Sequence, residues 1–141
     1  MNETISYERE IPELFKLLGQ VHEGLSGGAV PRPLLHLIQL RASQINGCGF
    51  CVKMHTREAR QDGETSERLD RLIVWEHVSD FTEAERAALA WTEALTRLER
   101  GTDYAAMRET LRAHFDETQI AEIGAAIAMI NLWNRFQVSK H

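Results

Sequence analysis

No stretch of this 141-residue chain alternates apolar and polar positions with β-branched residues as a half-buried strand does. That narrows the fold more than any other feature of the sequence. Glycine and proline cluster between Gly24 and Pro33 and are scarce elsewhere, so long runs carry no breaker. Apolar residues recur at helical spacing in nearly all of them. The expectation is an all-α protein: a single helical domain over residues 1–141, with about six to seven helices. A chain of this length can bury a real core as one unit.

The first helix is expected over Glu10 to Leu25. Pro12 suits its first turn, and Leu14, Leu17, Leu18, Val21 and Leu25 form its apolar stripe. His22 neighbours that stripe and reads as a boundary residue. The second helix, Pro33 to about Ile45, buries Leu34, Leu37, Ile38, Ala42 and Ile45, with His36 beside them. A third runs from the turn at Asn46-Gly47 to Asp62-Gly63, where glycine suits the position after a helix. Glu64 to Trp75 reads as a fourth, shorter helix, broken after Trp75. Trp75, His77 and Phe81 are read as packing residues, with a roof over the third helix's cysteines as the alternative. Thr82-Glu-Ala-Glu85 is a capping box that starts a helix to about Arg100. Its buried face is Ala84, Ala88, Trp91, Leu95 and Leu98, with Glu93 off that face, solvated or paired with an arginine. Gly101 is expected to end it. Thr102 or Asp103 caps the next helix, to about His114. Asp116-Glu-Thr-Gln119 resembles a second capping box and opens the most apolar helix, in which Asn131 and Asn134 are the polar exceptions.

The chemistry concentrates in Asn46-Gly-Cys-Gly-Phe-Cys-Val-Lys-Met-His55. Both cysteines of the chain stand here, Cys48 and Cys51, two residues apart, with His55 four residues further on. At the start of the third helix these three positions fall within about 60° of one face. A helix N-terminus lowers a thiol pKa, and an imidazole one turn away can take the thiol proton. Cysteines at this spacing can close a reducible disulfide and so cycle where a lone cysteine would over-oxidise. Position favours Cys48 as the more acidic thiol, whereas His55 favours Cys51. Two other readings remain for the pair. One is a zinc site, but a closed structural site needs a fourth ligand that the spacing does not supply. The other is inert packing of two small residues. No metal site is assigned.

The net charge of −5, with basic residues spread among acidic ones, gives no footprint for nucleic acid. The N-terminal stretch lacks a basic region followed by an apolar run, and Ile123 to Trp133 is too short to span a bilayer. A cytoplasmic protein without membrane contact is expected. No flavin, haem or nucleotide motif is present, so no cofactor is assigned.

Residues 34 to 98 resemble a known family. The run Leu34-Leu-His-Leu-Ile-Gln-Leu-Arg-Ala-Ser-Gln-Ile-Asn-Gly-Cys-Gly-Phe-Cys-Val-Lys-Met-His-Thr-Arg-Glu-Ala-Arg60 is similar to the core of the alkylhydroperoxidase D-like / carboxymuconolactone decarboxylase family. So is Phe81-Thr-Glu-Ala-Glu-Arg-Ala-Ala-Leu-Ala-Trp-Thr-Glu-Ala-Leu-Thr96, and Ile130-Asn-Leu-Trp-Asn-Arg135 is similar to its short single-core members. The resemblance implies a thiol peroxidase or disulfide reductase that assembles as a homo-oligomer, a trimer or a hexamer. It implies that Cys51 attacks a hydroperoxide, that Cys48 resolves it and that His55 serves the proton relay. A dihydrolipoyl or thioredoxin-like protein is the implied dithiol donor. Two positions depart from the family pattern. His36 stands where a glutamate is usual, and Phe50 stands where a histidine lies between the cysteines. His36 is therefore expected to act as acid or base in the glutamate's place, through water to His55. The alternatives are a lactone decarboxylase, which needs no cysteine pair, and a non-enzymatic redox-sensing or zinc-holding module.

Overall fold

The computed structural model describes residues 3–141. Met1 and Asn2, the first residues of the stretch read above for a leader, lie outside it. The described residues form eight α-helices and one 3-10 segment, with no strand. They are α1 (Tyr7–Glu10), α2 (Pro12–Ser26), α3 (Arg32–Ile45), α4 (Gly49–Gln61), α5 (Ser66–Arg71), the 3-10 segment Leu72–His77, α6 (Glu83–Arg97), α7 (Tyr104–Arg112) and α8 (Glu117–Ser139). The cysteine motif opens α4 rather than a third helix, because the single turn α1, capped by Ser6, precedes α2.

Local signals account for most boundaries. Pro12 sits in the first turn of α2. Thr82 and Glu85 form the expected capping box on α6, and Asp116 and Gln119 form the one on α8. Asp103, not Thr102, caps α7 by accepting from the Ala106 N–H. The expected fourth helix divides. Thr65 caps one and a half turns of α-helix, and Leu72–His77 then tightens to 3-10 geometry around a kink at Val74. The Arg86 guanidinium holds that segment by donating to the carbonyls of Trp75, Glu76 and Val78. Helix α6 stops at Arg97, short of Arg100, because Leu98 takes a left-handed conformation with φ 52°.

Helix α3 lies at the centre and packs against α4, α6 and α8. Every residue from Leu34 to Ser43 is buried. Two hydrophobic clusters meet along it. Leu34, Leu35 and Ile38 join Leu25, Ala88, Trp91, Leu111, Ile123 and Ile127. Leu37 and Leu40 join Ala59, Leu69, Leu72, Trp75, Phe81 and Leu89. Each fully enclosed leucine or isoleucine of this set contributes about 1.5–3 kcal/mol of transfer free energy. Trp75 and Phe81 thus pack, as expected, while His77 is exposed.

The stripe expected on α2 is only partly enclosed. Leu25 is buried, but Leu14, Leu17 and Val21 are 52%, 57% and 49% exposed. The helix turns Phe15 rather than Leu14 inward, its ring meeting Trp133 of α8 edge-on at 5.6 Å between centroids. Glu93 is buried and paired with arginine, the second of its two expected environments, rather than solvated. It accepts from Arg41 Nε and Nη2, both at 3.2 Å, from Trp75 Nε1 at 2.9 Å and from Arg97 Nη1 at 3.2 Å. No helix among the described residues is long and apolar enough to cross a membrane.

Candidate active site

The site begins where α3 ends. Asn46 closes the last turn, and Gly47 takes φ 67°, a conformation that glycine adopts without steric cost. The Cys48 N–H then returns to the Ser43 carbonyl at 3.0 Å. This turn is held from α8. Asn46 Nδ2 donates to the side-chain oxygens of Asn131 and Asn134, both at 2.9 Å. Asn134, fully buried, donates in turn to Ser43 Oγ at 3.0 Å. The two asparagines that interrupt the apolar pattern of α8 are therefore the pins that fix the cysteine turn.

Cys48 is the N-cap of α4, and its sulfur accepts from the Cys51 N–H at 3.3 Å. The two cysteines are joined as a disulfide with Cα atoms 5.3 Å apart, and both are buried. His55 follows one turn later on α4, 2% exposed. Burial, more than any charge, pushes its pKa down to about 4, and the nearby His22 and His36 push the same way against the attraction of Glu58. Its imidazole is therefore neutral at neutral pH, with a lone pair open to a hydrogen bond. His55 Nδ1 lies 3.5 Å from Glu58 Oε2 and makes no hydrogen bond.

His36, buried on α3, meets the far end of α4. Its Nε2 is 2.5 Å from Asp62 Oδ2, and Arg32 donates to the same oxygen at 3.0 Å. The His36 hydrogen bond, and then Arg32, hold the Asp62 carboxyl below its ordinary range. An ionised carboxylate only accepts, so the proton between them belongs to His36 Nε2. Its Nδ1 is buried without a hydrogen-bond partner. A cavity of about 150 Å³ lies here, lined by His22, Arg32, His36, Gln39 and Glu58 among others. A second opening, a cleft of about 340 Å³, lies at the start of α4. Gly47, Cys48, Gly49 and Phe50 line it with Gln137, Val138 and His141.

Cys48, Cys51 and His55 thus share the first two turns of α4. His36 comes close enough to His55 to influence it electrostatically. Among the described residues, no three His, Cys, Asp or Glu side chains are grouped to hold a metal ion. Sequence reading missed the role of Asp62, which it spent on the turn that ends the helix. It also missed Glu58, although the i, i+3 spacing to His55 was a usable signal.

The sequence pattern of the carboxymuconolactone decarboxylase family matches residues 12–94, more than half of the chain. The protein belongs to this family, among its alkylhydroperoxidase D-like members. The Bacillus subtilis (strain 168) protein YdfG, itself uncharacterized, is 32% identical over 139 residues, covering 99% of this chain and 95% of YdfG. A protein of unknown function from Agrobacterium tumefaciens, ATU0492, has a solved structure that superposes with a TM-score of 0.91 at 39% identity, over 99% of this chain and 95% of that one. The debrominase Bmp8 shares the fold, with a TM-score of 0.82 at 22% identity over 93% of this chain and 70% of its own.

Proposed function

We propose that this protein is a thiol-dependent peroxidase that reduces hydroperoxides through Cys51 and Cys48. The observation that carries this reading is the disulfide itself. The two sulfurs are joined at a helix start, one turn before a buried imidazole that is neutral at neutral pH. ATU0492 is described as a candidate AhpD antioxidant defence protein, and its 39% identity over nearly the whole chain supports the same reading.

In the reduced protein, His55 takes the Cys51 proton to form an ion pair, the thiolate beside it offsetting the burial that otherwise keeps the imidazole neutral. The thiolate attacks the terminal oxygen of the hydroperoxide, the O–O bond breaks, and the departing alkoxide leaves as the alcohol after receiving a proton. Cys51 is now a sulfenic acid. The Cys48 thiolate attacks its sulfur, hydroxide leaves and is protonated to water, and the disulfide seen here results. An external dithiol restores the pair. Protons reach the outside through Glu58, which stands beside His55 and lines the polar cavity with His36. In this scheme His36, oriented by Asp62, supplies the acid/base function of the glutamate usual in the family. The protein works in the cytoplasm as a homo-oligomer. The exposed row Leu14, Leu17 and Val21 on α2 supports the assembly.

The test is single-turnover oxidation of the reduced protein by an organic hydroperoxide, counting free thiols. Wild type should lose both thiols quickly, Cys48→Ser should stop at a trapped sulfenic acid, and Cys51→Ser should barely react. If all three oxidise only at the rate of an ordinary thiol, peroxide is not the substrate. Retained lactone decarboxylation in the double cysteine variant, or reductive loss of bromide from an aryl bromide, would then redirect the assignment.

A further inference from the structure

Closing the disulfide requires Cys48 as a thiolate, since the neutral thiol is a weak nucleophile. Its proton therefore needs an acceptor. The two residues between the cysteines, Gly49 and Phe50, cannot take one. His55 stands one turn beyond Cys51, is buried, and does not line the cleft onto which Cys48 opens. The walls of that cleft carry two polar side chains among the described residues, Gln137 and His141. An amide does not titrate, whereas an imidazole is the side chain best suited to exchange a proton with a thiol near neutral pH. Apart from the sulfur, His141 is thus the one proton-exchanging side chain on the cleft wall among the described residues.

The end of α8 is fastened where it meets the cysteine turn. Tyr7 stacks on Phe136 with ring centroids 4.1 Å apart, and its hydroxyl pairs with Ser139 Oγ at 2.7 Å. The Ile5 N–H donates to the Lys140 carbonyl at 3.1 Å, one residue before His141. From the other side, Asn46 donates to Asn134 of α8. His141 is therefore delivered to the cleft by a segment held on two sides. The other charged or titratable groups of this region keep to neighbouring cavities. Tyr7 and Arg135 line the one beside Asn46, and Glu8 and Lys140 line the one beside Gln137. Lys53 is exposed on α4 and does not line the cleft.

We propose that His141 is the acid/base of Cys48, as His55 is of Cys51, so that each thiol has its own imidazole. The proposal rests on the redox reading of the pair, but not on peroxide being the oxidant. In the step that closes the disulfide, the His141 imidazole takes the Cys48 proton. The thiolate attacks the Cys51 sulfur of the sulfenic acid, the S–S bond forms and the S–O bond breaks. Hydroxide leaves Cys51 and recovers the proton from the imidazolium as water. The Cys48 sulfur is oxidised by one electron and the Cys51 sulfur reduced by one, so no further reactant is needed. Tyr7 is the positioning residue, acting through the end of α8.

The experiment uses the full chain in its reduced form and no peroxide. In Cys51→Ser the only thiol is Cys48, and its alkylation by iodoacetamide is followed from about pH 5 to about pH 10, since only the thiolate reacts. Adding His141→Gln should lower the rate near neutral pH about tenfold and move the midpoint of the profile upward, as loss of an adjacent cation does. Adding Tyr7→Ala instead should move both the same way by less. In Cys48→Ser, which leaves Cys51, adding His141→Gln should change the rate by less than about twofold. A Cys48 rate in the His141→Gln background within about twofold of its parent across the profile overturns the proposal. So does an equal loss at Cys51, which would mark a general loosening of the site rather than a partner of one thiol. In the chain with both cysteines, His141→Gln should slow conversion of the Cys51 sulfenic acid to the disulfide by a similar factor, and an unchanged closure rate also counts against it. If the Cys48 profile shifts as expected while hydroperoxide leaves both thiols intact, the His141 assignment stands and the oxidant alone is revised. If hydroperoxide oxidises the pair rapidly and the Cys48 profile does not move, the peroxidase reading stands and the role of His141 falls.

Discussion

Replacing Glu93 with alanine should cost this protein a large part of its stability, although Glu93 touches none of the sulfur chemistry. Its carboxylate accepts from two nitrogens of Arg41 and from the Trp75 indole through Oε1, and from Arg97 through Oε2. The Arg41 and Glu93 side chains are about one-tenth exposed. Without Glu93, the Arg41 guanidinium keeps only Gln44, at 3.1 Å, as a side-chain acceptor. Leaving such a charge uncompensated costs about 3–5 kcal/mol, and the stranded Trp75 N–H adds about 1 kcal/mol. Domains of this size have a total stability on the order of 10 kcal/mol, and a loss of about 4 kcal/mol lowers Tm by roughly 8–16 °C. Urea unfolding followed by tryptophan fluorescence measures the loss as a fall in the midpoint at unchanged slope. The paired variant Arg41→Met/Glu93→Leu removes both charges and should recover more than half of it. The reasoning is refuted if Glu93→Ala costs less than about 1 kcal/mol, or if the paired variant is worse than either single one.

Three further outcomes follow from the site. The folded-state pKa of His55, about 4 against 6.5 for the free group, means that the unfolded chain takes up the proton first as pH falls. Stability is therefore full above pH 6.5 and should drop by about 3 kcal/mol between pH 6.5 and 4, with a shallower decline in His55→Gln, read from urea midpoints across that range. His36→Ala should slow single-turnover oxidation of Cys51 by at least about tenfold, with Asp62→Asn in between; unchanged rates in both would remove this pair from the proton path. Asn134→Leu, which takes from Asn46 one of its two side-chain acceptors and from Ser43 Oγ its donor, should cost about 1–2 kcal/mol, and amide exchange at Cys48 should speed up as the turn loosens.

What the sequence made legible is what short-range chemistry determines. Thr82 with Glu85 and Asp116 with Gln119 cap helices through contacts three residues long. The cysteine pair, its helix start and His55 share one ten-residue stretch. What stayed hidden depends on partners brought together only by folding. Glu93 lies off the apolar stripe of α6, and its burial rests on Arg41, 52 residues away. His36 gains its meaning from Asp62, and Asn46 from Asn131 and Asn134 on α8. The stripe of α2 was read from correct periodicity, yet Leu14, Leu17 and Val21 stay exposed among the described residues. Periodicity tells which residues share a face and not whether that face meets another. The early end of α6 was equally unreadable, because Leu98 has no intrinsic preference for a left-handed backbone.

Helix α3 is enclosed over ten consecutive residues, Leu34 to Ser43, so it has no outward side on which mutations can accumulate harmlessly. In a saturation scan, α6 should show tolerance rising and falling with each helical turn, whereas α3 should show an unbroken plateau of intolerance. Changes on α3 would then become fixed only in step with a change elsewhere. His36 on α3 and Asp62 at the end of α4 form one such pair, joined through the His36 Nε2 hydrogen bond. Divergence of the catalytic apparatus in this fold should therefore proceed in coupled pairs, each joining a residue of α3 to a residue of the helix packed over it.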